Sequence, residues 1–132
     1  MNRLFYLLVL LASVALANGD FVKPLKEAAT REEVVKHFGT TIGFGEVEKW
    51  EFTTAGRKIM VFGYCPVSGR AACYVHAYYY NTAKQCWLLF IDRLIEPGTA
   101  LSAEISADDH ALVFKDQDGK VVVKESIEAL PR

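Results

Sequence analysis

The stretch KIMVFGYCPVSGRAACYVHAYYYNTAKQCWLLFIDR, residues 58–93, decides the fold. Its apolar and aromatic residues follow a period of two, which is typical of β-strands. Turn-forming segments, Pro66–Ala72 and Asn81–Lys84, divide it into three such runs. Because consecutive strands joined by short turns pair antiparallel, the stretch predicts the centre of an antiparallel sheet.

The same period continues on both sides of this stretch. The predicted strands are Val47–Thr53, Lys58–Cys65, Cys73–Tyr80, Cys86–Arg93, His110–Lys115 and Lys120–Lys124, with Leu101–Ile105 as a further one. Upstream, a capping box from Thr30 to Glu33 and a stop at Gly39 predict a helix over Pro24–Phe38, either unbroken or interrupted at Thr30. We therefore expect an α+β domain, with one N-terminal helix packed on an antiparallel meander sheet of about five to seven strands.

Simple hairpin registers sort the side chains of the first four strands into two faces. Face one collects Trp50, Phe52, Ile59, Val61, Gly63, Cys65, Cys73, Val75, Ala77, Tyr79, Cys86, Leu88 and Phe90. Face two collects Lys49, Glu51, Thr53, Met60, Phe62, Tyr64, Tyr74, His76, Tyr78, Tyr80, Trp87, Leu89 and Ile91. The first strand is polar on face two, so we expect face one to be the core that the helix covers.

Face two is rich in aromatic residues where a half-solvated sheet would be polar. Exposed Tyr and Trp side chains are typical of surfaces that bind a partner or a ligand. The predicted partner-binding residues are Tyr74, His76, Tyr78, Tyr80 and Trp87 on this face, with Ser68 and Arg70 from the loop between the second and third strands. In the alternative, residues 110–124 fold over face two and bury it.

The chain has three cysteines, enough for one disulfide and one thiol. The registers place Cys65 opposite Cys73, within reach of a disulfide, and leave Cys86 as a buried free thiol. The bridge would hold Pro66–Ala72 as a rigid projecting loop. Because Cys73 and Cys86 lie on the opposite face from His76, we expect no cysteine nucleophile and no catalysis.

The three histidines, His37, His76 and His110, are isolated in sequence. No H-x-x-x-H or C-x-x-C pair and no phosphate-binding glycine loop occurs. We therefore predict no metal site, no cofactor and no enzymatic activity.

The N-terminus predicts export. Arg3 precedes the apolar run Leu4–Leu16, and Ala15 and Ala17 have the small-x-small pattern of a signal-peptide cleavage site. The run is too short to span a bilayer. We expect cleavage after Ala17, a single domain over residues 18–132 without a membrane span, and a periplasmic or secreted location. The net charge of −1 favours neither nucleic acid nor an anionic membrane as partner.

Two segments resemble parts of known families. The hairpin of residues 58–80 resembles the disulfide-closed hairpin of the periplasmic inhibitors of vertebrate-type lysozyme, but residues 66–72 lack that family's histidine-bearing motif. Residues 30–39 followed by Trp50 are similar to small outer-membrane-assembly lipoproteins, whose lipidated cysteine is absent. Each resemblance covers less than a third of the chain, and we assign the chain to neither family.

We expect a non-catalytic binding protein whose partner is another protein of the periplasm or extracellular space. An enzyme inhibitor or a toxin-immunity protein is the most concrete form. The alternative is a small-molecule or lipid-binding protein in which face two lines an aromatic cavity, and a hydrolase is the third possibility.

Overall fold

The computed structural model describes residues 22–39, 41–42, 45–64, 73–95 and 101–132. The elements are β1 Glu27–Ala28, α1 Arg31–Phe38, β2 Thr41–Ile42, β3 Gly45–Glu46, β4 Glu48–Thr54, β5 Arg57–Tyr64, β6 Cys73–Asn81, β7 Cys86–Ile95, β8 Ser102–Ile105, β9 Ala111–Lys115 and β10 Val121–Ser126. Within these ranges, no helix has the length and apolar character needed to cross a membrane. The predicted signal peptide, residues 1–17, lies outside the described residues.

The central strands form the antiparallel sheet that residues 58–93 predict. All seven predicted strands have a counterpart, β4 to β10. The registers of the first two hairpins are also confirmed, since Thr54 pairs with Arg57 and Tyr64 pairs with Tyr74. Each hairpin places alternate side chains on opposite faces, and this alternation positions the candidate sites described below.

The helix is shorter than predicted and is not the N-terminal element. It begins after Thr30, whose backbone is extended and whose side-chain oxygen accepts a hydrogen bond from the Glu33 N–H at 3.2 Å. An extended N-cap residue cannot lie inside a continuous helix, so the chain does break at Thr30. The predicted helix over residues 24–29 is wrong, since these residues are not helical. Glu27 and Ala28 instead form β1, in which Ala28 pairs with Trp87 of β7.

The strands do not form one meander. The five-stranded sheet has the order β1-β7-β6-β5-β4, while β10-β9-β8 form a separate three-stranded sheet and β2-β3 a two-stranded one. The second sheet packs on face one of the first, where residues of both sheets share one buried cluster that includes Val61, Val75, Leu112, Phe114 and Ile127. An apolar sheet face needs such a cover, and the last three strands supply it.

Both faces of the first sheet are buried. The prediction placed the helix on face one, but the helix packs on face two and the second sheet packs on face one. Helix α1 covers face two, where Val34 and Phe38 pack in a cluster with Phe62 and Tyr78. Residues 110–124 cover face one. The alternative prediction, in which they fold over face two, is therefore also wrong. The prediction was based on the polar side chains of the first strand, β4. Because β4 is an edge strand, its side chains do not show whether the central strands are buried on face two.

A β-bulge in β7 changes which side chains lie on face two. Tyr78 pairs with Leu89 but Ala77 pairs with Ile91, so Phe90 is an extra residue in β7. Beyond the bulge the alternation is inverted, and Ile91 joins the core of face one. Asp92 becomes the partner of His76 across the strand pair.

Candidate functional site

The predicted partner-binding residues do not form one surface. Ser68 and Arg70 lie outside the described residues. Tyr74 and Tyr80 are half-buried at opposite ends of β6, about 20 Å apart along the strand at 3.3 Å per residue. The side chains between and beside them are buried: His76, Tyr78 and Trp87. The expected exposed aromatic face is therefore wrong, because α1 packs on its centre.

At the Tyr74 end, three polar side chains on adjacent strands form what we call the buried polar chain. Nδ1 of His76 lies 3.1 Å from Oδ1 of Asp92, and its Nε2 lies 3.0 Å from the Tyr64 hydroxyl. The Tyr64 oxygen also accepts a hydrogen bond from the Val22 N–H at 3.0 Å. The chain thus runs from β7 through β6 and β5 to the segment that precedes β1.

The protonation of the buried polar chain follows from its partners. A carboxylate only accepts, so in the neutral imidazole Nδ1 carries the proton and Nε2 accepts from the Tyr64 hydroxyl. Burial lowers the pKa of His76, while the charge of Asp92 and its hydrogen bond act in the opposite direction and His37 lowers it further. Burial also raises the pKa of Tyr64 to about 12, so this hydroxyl stays protonated.

The surroundings of the buried polar chain give it a structural role. His76 has no exposed surface and stacks on Phe38, with ring centroids 5.1 Å apart. Of the three side chains in the buried polar chain, only Asp92 is exposed to solvent. The Tyr64 hydroxyl is bonded to Val22, and the Tyr78 hydroxyl donates to the Leu25 carbonyl at 2.7 Å. The buried polar chain and the Tyr78 hydroxyl therefore hold residues 22–25 over face two.

Sequence reasoning missed Asp92 as the partner of His76. The simple register placed Asp92 on face one, whereas the bulge at Phe90 turns it to face two. The available signal was the continuous apolar run Leu88–Ile91, which breaks the alternation that a regular half-buried strand would keep.

At the Tyr80 end, an open cavity of about 300 Å³ lies beside the start of α1; we call it the rim pocket. Its lining includes Arg31, Glu51, Thr53, Lys58, Tyr80 and Trp87. Tyr80 and Trp87 form an edge-to-face pair with ring centroids 5.5 Å apart. The two predicted aromatic residues therefore meet at this site, whereas the charged lining residues were not predicted.

An ion pair forms one wall of the rim pocket. Arg31 donates through Nη2 to Oε2 of Glu51 at 2.8 Å and through Nε to Oε1, so the pair is bidentate. The hydrogen bond from Arg31 holds the pKa of Glu51 below its ordinary value, and the same bond raises the pKa of Arg31. Both groups are therefore charged at neutral pH, and together they contribute no net charge.

The cysteines and metal ligands add no reactive centre within the described ranges. Cys86 is a free, buried thiol, as predicted, and Cys73 is not a free thiol. The predicted partner of Cys73, Cys65, lies outside the described residues, so their disulfide stays a prediction. No group of three or more His, Cys, Asp or Glu side chains in the described part of the chain is placed to hold a metal ion.

Comparison with family models, curated proteins and solved structures found no match for this chain.

Proposed function

We propose that this protein is an exported, non-catalytic binding protein whose partner is another protein of the periplasm or extracellular space. The observation that carries the proposal is the rim pocket, where Arg31, Tyr80 and Trp87 line one open cavity. Arg, Tyr and Trp are the residue types that dominate binding energy in protein interfaces. An enzyme inhibitor or a toxin-immunity protein remains the most concrete form of this function.

The buried polar chain supports the non-catalytic part of the proposal. A general acid or base must come within hydrogen-bond reach of its substrate. His76 and Tyr64 are buried beneath α1 and the segment that begins at Val22, and their ring nitrogen and hydroxyl are used on each other. The polar residues most suited to catalysis are therefore committed to holding the fold.

The loop predicted to be closed by Cys65 and Cys73 is the second element of the proposal. Strands β5 and β6, which flank it, have the register that would bring these two cysteines opposite each other. Arg70 belongs to this predicted loop, whose residues 65–72 lie outside the described ranges.

A capture experiment tests the proposed function. The oxidised protein, immobilised without residues 1–17, is exposed to periplasmic or extracellular fractions, and captured proteins are identified and then titrated as pure components. We expect Tyr80→Ser and Lys58→Glu to weaken binding at the rim pocket, and Arg70→Ala to report on the loop separately. Lys120→Glu is the matched charge control, since Lys120 lies in the turn after β9, in the sheet that covers face one. A partner held equally by all four variants would contradict the proposal.

A small-molecule binder is the second candidate, favoured by the volume of the rim pocket. About 300 Å³ lies at the lower limit of ligand cavities, so the ligand would have the size of a single planar ring with one polar group. Calorimetric titration with such compounds discriminates between the candidates. Saturable binding of a small compound, lost in Tyr80→Ser and without any captured protein, would favour this second function.

A further inference from the structure

We propose that residues 22–25 form an acid-released strap, a segment that detaches from face two when His76 takes up a proton, while both sheets stay folded. Neither the strap nor His76 is among the described residues that line the rim pocket, and the inference does not depend on the proposed function. It depends on how the strap is attached, on the hydrogen bonds that a protonated His76 can make, and on the charges around it.

The strap is attached to face two by tyrosine hydroxyl groups. The Val22 N–H donates a hydrogen bond to the Tyr64 oxygen at 3.0 Å. The Leu25 carbonyl accepts one from the Tyr78 hydroxyl at 2.7 Å. Both tyrosines belong to the buried cluster on which Val22 and Leu25 pack, so these two bonds close one side of that cluster.

Backbone pairing does not hold the strap. The chain joins β7 only at Lys26, whose carbonyl accepts from the Leu89 N–H at 3.0 Å. The remaining contact of the strap is also with a side chain, since Nε2 of His37, in the last turn of α1, lies 2.7 Å from the Lys23 carbonyl. In the described part of the chain, no backbone–backbone hydrogen bond reaches residues 22–25. The strap can therefore detach while the strand pairs stay intact.

A proton on His76 changes what the Tyr64 hydroxyl must do. In the neutral imidazole, Nε2 accepts from this hydroxyl at 3.0 Å, whereas in the imidazolium both ring nitrogens donate. The Tyr64 oxygen then accepts from Nε2 as well as from the Val22 N–H, and its own hydrogen has to turn away from the ring. The acceptor nearest to this hydrogen in the described structure is the Val22 carbonyl at 3.5 Å, which is longer than an O–H···O hydrogen bond normally is.

Detachment of the strap removes this conflict. Once Val22 leaves, water reaches the Tyr64 oxygen and accepts its hydrogen, while the ring of His76 still donates to Tyr64 and to Asp92. Every donor of the protonated chain then has an acceptor. The attached strap therefore favours the neutral imidazole, and the released strap favours the imidazolium.

The groups around His76 act in both directions. They are Asp92 from β7, Tyr64 from β5, Tyr74 and Tyr78 from β6, His37 from α1, and the exposed Lys23 of the strap. Asp92 favours the proton through its charge and its hydrogen bond, and His37 opposes it. Burial outweighs Asp92, so the pKa of His76 lies below its ordinary value while the strap is attached. Because the proton is taken up more readily after detachment, acid shifts the population toward the released strap.

Hydrogen exchange of the Val22 amide, followed by NMR on the oxidised protein, tests the strap. Protection factors are compared, so that the effect of pH on the chemical exchange rate is removed. Since the ordinary pKa of histidine is about 6.5, we expect the protection of Val22 to fall by up to about eightfold from about pH 7 to about pH 5.5. His76→Asn should remove most of this dependence. The matched control His110→Asn, which changes a histidine directly before β9, should keep it.

Local release of the strap differs from global unfolding in its dependence on urea. Dilute urea should leave the exchange of Val22 unchanged, because local opening exposes little surface, and should speed the exchange of Val61 in the central strand β5. Asp92→Asn, at an exposed position, removes the charge that favours the proton and should extend the fall in protection to lower pH.

Four results would each overturn the strap. They are a change of less than about twofold in Val22 protection over this pH range, an equal fall in His76→Asn, Val22 exchange with the urea dependence of Val61, and a fall that ends at higher pH in Asp92→Asn. The Asp92→Asn and urea measurements decide the question even if His76→Asn does not fold.

Discussion

The hydroxyl of Tyr64 offers the sharpest test of the buried polar chain, because Tyr64→Phe removes one oxygen atom and leaves the ring in place. Tyr64 is buried, and its oxygen lies 3.0 Å from both Nε2 of His76 and the Val22 nitrogen. The substitution therefore deletes these two hydrogen bonds and a longer one from the hydroxyl to the Val22 carbonyl at 3.5 Å. It also leaves the imidazole Nε2 as an acceptor without its donor, in a site from which water is excluded.

The expected loss of stability follows from these contacts. Each buried hydrogen bond contributes about 0.5–1.5 kcal/mol net, and an unsatisfied buried polar atom costs about 1–3 kcal/mol. These two effects overlap at Nε2 of His76, so we expect the free energy of unfolding to fall by about 2–3 kcal/mol. That is a large part of the stability of about 5–15 kcal/mol that is typical of a single domain.

Urea unfolding followed by tryptophan fluorescence measures this change. With a slope of about 1–3 kcal/mol per molar urea, a loss of this size lowers the midpoint by about 0.7–3 M. The matched control is Tyr80→Phe, because the Tyr80 hydroxyl makes no hydrogen bond in the described part of the chain and should change stability by less than about 0.5 kcal/mol. In Tyr64→Phe the Val22 amide should also exchange faster with solvent. If the two variants unfold at the same urea concentration, the argument for the buried polar chain is wrong.

Three further predictions concern other parts of the molecule. Burial lowers the pKa of His76, so as pH falls this residue takes up a proton in the unfolded state before it does so in the folded state. The free energy of unfolding should therefore decrease as pH falls below about 6.5. The decrease should be up to about 1.4 kcal/mol per pH unit until the pKa of the folded state is reached. Urea titrations from pH 7.5 to pH 5 should show this dependence in the wild type and less of it in His76→Asn; an equal slope in both would assign it to other groups. Thr30→Ala should destabilise the protein by about 1 kcal/mol through loss of the cap on Glu33, whereas the exposed Thr53→Ala should have a much smaller effect, and comparable midpoints in thermal unfolding would contradict the cap. The Cys86 thiol, free and buried, should react with a thiol reagent slowly in the folded protein and rapidly in denaturant, and fast labelling without denaturant would show that it is accessible.

Residues 47–93 were sufficient to predict the four central strands and the registers of their first two hairpins. Period-two alternation and short turns act locally, so Thr54 meets Arg57 and Tyr64 meets Tyr74 whatever covers the sheet. The same local patterning predicted a helix, and the capping residues at Thr30 marked its start. The aromatic pair of the rim pocket was also within reach, since Tyr80 and Trp87 lie on neighbouring strands.

The rest depended on contacts between elements that are distant in sequence. Alternation alone does not state which apolar face receives the helix, because both faces of the central strands are apolar and either cover removes them from water. The bulge at Phe90 is a tertiary compromise: it gives Ile91 to the core shared with the second sheet and turns Asp92 toward His76.

The sequence by itself therefore determined the strands, the registers of the first two hairpins and the end of the helix at Gly39, since hydrophobic period, turns and caps are short-range properties. Only the tertiary structure decided that α1 and residues 22–25 close over face two, and that Arg31 reaches Glu51 beside Tyr80. Those decisions depend on the packing of whole surfaces. They bury the centre of an apparently exposed aromatic face and leave its two ends, at Tyr74 and at Tyr80, partly exposed.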